Sequence, residues 1–87
     1  MIVLIDKSFD KDINKINDKS ILIKIAICIT DIQNANSLSE IKNLKKLKGF
    51  ESEYRIGDYR ICLIIENRKI TFVRFLHRKD IYKFFPK

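Results

Sequence analysis

Two periodicities divide the chain near Phe50. Before it, apolar residues recur mostly at helical spacing; after it, they alternate as in strands. Ile2-Val3-Leu4-Ile5 is a β-branched run stopped by Asp6 and reads as a first strand. Ser8 can cap a helix, with Lys11 rather than an acid in the third position, and Phe9, Ile13 and Ile16 then share one stripe. Asn17-Asp18-Lys19-Ser20 breaks the pattern, and Ser20 can cap again. A second helix follows from about Ile21 to Asn34, with Leu22, Ile25, Ala26, Ile29 and Ile32 on one side. Its length and lack of alternation favour a helix over a strand. Ile21, Ile23, Ile27 and Cys28 lie outside that stripe. Burial under the neighbouring helix and first strand is the expectation for them, cover by a partner the alternative.

Residues 34–39 read as a loop, and Ser39-Glu40-Ile41 as the start of a short helical turn. Lys42, Lys45, Lys46 and Lys48 then alternate with Leu44 and Leu47 until Gly49 ends the segment. This lysine run reads as a solvated connection, or as an arm that touches nucleic-acid backbone. Beyond Phe50, Glu51 to Ile56, Tyr59 to Glu66 and Lys69 to His77 form three runs joined by Gly57-Asp58 and Asn67-Arg68, the pattern of an antiparallel meander. Gly57 supplies the positive φ that the first central position of a type II′ turn demands, and Asp58 tolerates the second. The fold class is therefore α+β: a short N-terminal strand and two helices packed on one face of an antiparallel three- to four-stranded sheet, as a single domain over residues 1–87.

Register then sorts the side chains. Pairing outward from Gly57-Asp58 sets Ile56 opposite Tyr59 and Arg55 opposite Arg60. Like charges facing each other across a ladder destabilise it, so such a pair holds an anion or splays into water. If Asn67-Arg68 is also a two-residue turn, Glu66 faces Lys69, Cys62 faces Val73, Arg60 faces Phe75 and Asp58 faces His77. Alternation puts Tyr54, Ile56, Tyr59, Ile61, Leu63, Ile65, Ile70, Phe72, Arg74 and Leu76 on one face, the seat for the helices. The other face collects Glu53, Arg55, Asp58, Arg60, Cys62, Ile64, Thr71, Val73, Phe75 and His77. Arg55, Arg60 and His77 converge at one end of it. A slip of one residue would dissolve that cluster.

Charge sharpens this picture. Residues 1–40 carry five lysines against six acids, a net of −1, and residues 41–87 carry thirteen Lys or Arg against five acids, a net of +8. The basic half surrounds the paired arginines and predicts a polyanionic partner, or an acidic protein covering the same surface. With 46% hydrophobic and 33% charged residues the chain reads as a soluble globular protein. No apolar run approaches a membrane span, and no secretory leader is visible. Cys28 and Cys62 are isolated and read as reduced core thiols of a cytoplasmic protein.

The sequence has no carboxylate pair, metal-ligand set, serine triad or glycine-rich phosphate loop. Arginines, a histidine and a tyrosine on a basic sheet suit RNA cleavage by attack of the 2′-hydroxyl on the adjacent phosphate. Cations would stabilise the phosphoryl charge, and a donor and an acceptor would move the protons. Arginine grips phosphate bidentately, and the scheme needs no metal or cofactor. Tyr82 lies one helical turn beyond Arg78, close enough to share its face. His77, the chain's single histidine, is a candidate proton carrier, or else a strand-end residue hydrogen-bonded to Asp58.

The runs Leu47-Lys48-Gly49, Tyr54-Arg55-Ile56-Gly57-Asp58-Tyr59-Arg60-Ile61 and Leu76-His77-Arg78-Lys79-Asp80-Ile81-Tyr82 resemble the RelE/ParE toxin superfamily of type II toxin–antitoxin systems, in its RelE-like branch. The resemblance implies a ribosome-dependent mRNA endonuclease acting in the ribosomal A site and neutralised by a small, acidic cognate antitoxin. It assigns Arg60 to phosphate stabilisation and matches Arg55 to a basic position on the second strand. Arg78 and Tyr82 match the arginine and tyrosine after the last strand, and His77 stands where some members use a histidine. Glu53 departs from the pattern, occupying a position that is often basic: it is a general base, as proposed in some relatives, or a lost cation. Lys45, Lys46, Lys48 and Lys79 are the candidates for RNA contact. The alternative is a non-enzymatic ParE-like toxin that inhibits DNA gyrase, or an inactive antitoxin-binding member.

Overall fold

A computed structural model of the protein describes residues 1–84. The elements run β1 (Ile2–Ile5), α1 (Lys7–Asn14), α2 (Lys19–Asn34), β2 (Leu44–Lys48), β3 (Glu51–Ile56), β4 (Tyr59–Glu66), β5 (Lys69–His77) and α3 (Ile81–Phe84), with a 3₁₀ turn at Leu38–Glu40. The strands form one five-stranded sheet in the order β1-β5-β4-β3-β2. Its α+β character and helix-covered face are as expected, and two strands enlarge it. β1 lies parallel to β5, Ile2 opposite Lys69 and Ile5 opposite Phe72. The lysine run is no free arm but the antiparallel edge strand β2, with Lys45 opposite Glu53. A register shift between Lys46 and Lys48 locally bends it. Leu44 joins the main core and Leu47 a smaller cluster on the other side. Lysines on an edge strand discourage pairing with another chain.

Both helices pack on one face of the sheet. Phe9 of α1 meets Phe72 edge-on, ring centroids 5.3 Å apart. Ile25, Cys28 and Ile32 of α2 join Ile56, Ile61, Leu63, Ile70, Phe72 and Phe75 in the same core. Cys28 is thus buried, whereas Ala26, expected on the inner stripe, faces out. Ile23 and Ile27 are 60% and 53% exposed, so the second apolar face of α2 is not buried as expected but open. The caps also differ from expectation. Asp18, not Ser20, caps α2 by accepting from the Ser20 N–H at 2.9 Å, and the Ser20 hydroxyl and N–H hold its carboxyl below the usual range. Ser8 instead donates to Asp6 and to the Val73 carbonyl on β5.

Both hairpin turns have two residues. Gly57 has φ 54° while Asp58 does not share a positive φ, as the II′ reading requires. Asn67 and Arg68 are both left-handed, φ 51° and 65°, which is the type I′ pattern. Between these turns the expected register fails once. Leu63 pairs with Phe72, but Cys62 pairs with Arg74, so Val73 is an extra residue in β5. Beyond that bulge every side chain of β5 changes face. Arg60 faces Leu76 rather than Phe75, and Tyr59, not Asp58, faces His77. Phe75 thereby enters the helix-side core. Leu76 crosses to the open face, where it packs with Cys62 and with Ile81 of α3.

Candidate functional site

The tip of the β3–β4 hairpin gathers guanidinium groups. Arg55 and Arg60 are direct cross-strand partners, as register predicts. Arg60 does not confront Arg55 unrelieved: its Nη1 donates to the Gly57 and Tyr59 carbonyls, each at 2.8 Å. These bonds fold the side chain over the turn and tie its orientation to the backbone that Gly57 permits. Arg78, just past β5, donates its backbone N–H to the Asp58 carbonyl at 2.7 Å. Its Nε lies 3.7 Å from Asp58 Oδ1, an exposed pair that adds little stability and leaves the guanidinium accessible. Tyr82 is 68% exposed on α3, whose neighbouring Ile81 is the buried anchor. Tyr82 as a mere anchor packed near Phe84 and Phe85 is the alternative reading from the sequence; its 68% exposure does not fit an anchor, and Phe85 lies outside the described residues.

Two candidates stand elsewhere. The Val73 bulge turns His77 to the helix side, where its ring lies 5.4 Å edge-on from Tyr59. Tyr59 in turn stacks on Phe75 at 5.0 Å. His77 Nδ1 accepts from the Lys79 N–H at 3.2 Å, so neither the expected bond to Asp58 nor a place beside Arg55 is found. Glu53 shares the arginine face but is 2% exposed. Its Oε1 lies 3.7 Å from Arg55 Nε, and its Oε2 has no hydrogen-bond partner. A carboxylate so enclosed is poorly placed to take a proton from a bound strand. The lysines divide as well: Lys45 lies opposite Glu53 on the arginine face, Lys46 lies opposite Ser52 on the other, and Lys48 and Lys79 are exposed.

Arg74 was assigned to the helix face, and the bulge carries it across. It binds Asp12 of α1 through Nε at 2.8 Å and Nη2 at 3.2 Å. Asp12 also accepts from the Phe75 N–H at 2.9 Å. One carboxylate thus ties α1 to β5 beyond the end of β1, and this hydrogen bonding raises the Arg74 pKa. Nothing in the sequence marks that pairing, because Asp12 and Arg74 meet only through the bulge. A groove of about 610 Å³ runs along Phe50, Ile64, Val73, Arg74 and Phe84, and none of the arginine, tyrosine, histidine or glutamate candidates lines it. Both thiols are inert, pushed up to about 12 mainly by burial, with Asp31 adding to Cys28 and Glu53 to Cys62.

A family model described as ParE toxin of type II toxin–antitoxin system, parDE, matches residues 3–82. The chain belongs to that toxin family. Within it, the chain is 43% identical over 89 residues to Toxin RelE3 of Methanocaldococcus jannaschii, covering 99% of this chain and 100% of that protein. It is a toxin of RelE type. Its fold matches a chain of the RelB-RelE antitoxin-toxin complex from Methanococcus jannaschii, TM-score 0.79 at 38% identity, over 95% of this chain and 99% of that one. A chain of the toxin-antitoxin complex RelBE2 from Mycobacterium tuberculosis has the same fold, TM-score 0.67 at 18% identity, over 91% and 92% of the two chains.

Proposed function

We propose that this RelE-type toxin is a metal-independent endoribonuclease that cuts mRNA in the ribosomal A site. Residues 1–87 act as one domain in the cytoplasm. The observation that carries the reading is the hairpin tip, where Arg55, Arg60 and Arg78 gather about Gly57-Asp58, with Tyr82 exposed one helical turn beyond Arg78 in sequence. The 2′-hydroxyl gives its proton to solvent as its oxygen bonds the adjacent phosphorus. The bond from phosphorus to the 5′-oxygen of the next nucleotide breaks, and that oxygen leaves with a proton from Tyr82, which water replaces. Arg60 and Arg55 neutralise the charge that grows on the phosphoryl oxygens, and Arg78 adds to it from across the turn. Tyr82 is the exposed side chain able to exchange a proton there. His77, turned to the other face, supports the strand end rather than the reaction.

Lys45, Lys48 and Lys79 contact the RNA backbone, while Lys46 lies on the helix side of β2. Both solved relatives are chains of antitoxin–toxin complexes, and a small acidic cognate antitoxin is the partner proposed for this chain. Because the matching family model is described for ParE toxins, gyrase inhibition is the competing reading. A translating extract separates them. Wild type is expected to cut ribosome-bound mRNA, Tyr82→Phe to cut it at least tenfold more slowly, and Arg60→Ala about a hundredfold more slowly. Growth arrest with intact mRNA and inhibited gyrase is the result that overturns the proposal.

A further inference from the structure

Glu53 is the one acidic side chain among the described residues that is buried, and it lies on the face that carries Arg55, Arg60 and Lys45. A carboxylate removed from water favours a cation close by, and burying it uncompensated is costly. The cation within ion-pair distance is Arg55, whose Nε lies 3.7 Å from Glu53 Oε1, an ion pair rather than a hydrogen bond. On the flanking strands its neighbours are Lys45, which is exposed, and the Cys62 thiol, which burial keeps protonated. Arg55 itself is about half exposed at its side chain, 52% against 2% for Glu53. The carboxylate is therefore a buried counter-ion near the Nε of a guanidinium that is about half in solvent. A guanidinium drawn toward a counter-ion at Nε can present its two terminal nitrogens as a fork, the geometry that matches two phosphate oxygens.

We propose that Glu53 is a positioning residue: its buried carboxylate orients Arg55 through Nε toward the RNA phosphate and does not accept the 2′ proton. The residue that breaks the family's basic pattern is then the support for its neighbour, and the loss of one cation is exchanged for the alignment of another. The inference rests on the arginine face being the RNA-cleaving surface. Its test has one arm that needs cleavage and one that does not.

The first arm is a double-mutant cycle of Glu53→Gln and Arg55→Ala in ribosome-dependent cleavage, with the pH profile of each folded variant. Glu53→Gln is expected to lower the cleavage rate about tenfold, to keep the acid limb of wild type, and to have no effect in the Arg55→Ala background. Loss of the acid limb in Glu53→Gln would make Glu53 the proton acceptor and overturn the proposal. An equal loss with and without Arg55 overturns it too. The second arm is the arginine Nε–H region of a ¹H–¹⁵N spectrum of wild type, which still decides if Glu53→Gln does not fold. The Arg55 signal is expected to exchange with solvent more slowly than that of exposed Arg68, and indistinguishable exchange contradicts the tether. Failure of all cleavage by wild type with a protected Arg55 signal would instead count against the endonuclease reading alone.

Discussion

The two faces of the sheet are built by opposite rules. On the helix side, Ile61, Leu63, Ile70 and Phe72 are fully enclosed and Phe9 locks onto Phe72. On the other side the buried apolar group among the described residues is the small one of Cys62, Leu76 and Ile81, and the hairpin tip carries arginines in water. The first face earns its stability from area removed from water, about 25 cal/mol per Å² of apolar surface. The second holds like charges together, which folding alone does not reward. Stability and activity should therefore separate by face.

The largest expected effect breaks the covered face. Phe72→Ala removes a ring contacted by Phe9 and is expected to cost about 3–5 kcal/mol, read by urea unfolding. In a small domain that is much of the total stability. Next comes the seam between helix and sheet. Asp12→Ala leaves Arg74 without its bidentate partner and the Phe75 N–H without its acceptor, and should cost about 1–3 kcal/mol. A cost near zero would mean that α1 is held by its other contacts, Phe9 and Ile13 in the core and Ser8 on the Val73 carbonyl. The smallest effect has the opposite sign. Arg68 sits at φ 65°, where glycine bears no penalty, so Arg68→Gly is expected to stabilise by about 1 kcal/mol, seen as a raised melting temperature. Because that turn lies at the far end of the strands from the arginine tip, cleavage should be unchanged.

Much of the covered face was legible in the sequence, and the open face only in part. The Gly57-Asp58 turn could be read because a positive φ has few hosts, and Arg55 opposite Arg60 follows from it by counting. The fifth strand and the order of the sheet could not be read. β2 is lysine-rich, short and bulged, with its leucines three residues apart rather than two, so it lacks the strict alternation that marks a strand, and the parallel pairing of β1 with β5 leaves no local trace. The Val73 bulge is the costliest blind spot. It occurs mid-strand, between Phe72 and Arg74, with no glycine to announce it, yet it moves His77 away from the arginines and brings Arg74 across. Glu53 was correctly placed on the arginine face, but its burial depends on packing that no strand pattern reveals.

The measurement closest to the central claim pairs cleavage with folding for one residue. Arg60 is half-buried at the hairpin tip and bonded only to turn carbonyls. Arg60→Ala should melt within a few degrees of wild type while losing about a hundredfold in cutting of ribosome-bound mRNA, mapped by primer extension. If Arg60→Ala keeps its fold and cuts as fast as wild type, the arginine tip is not the site of the reaction.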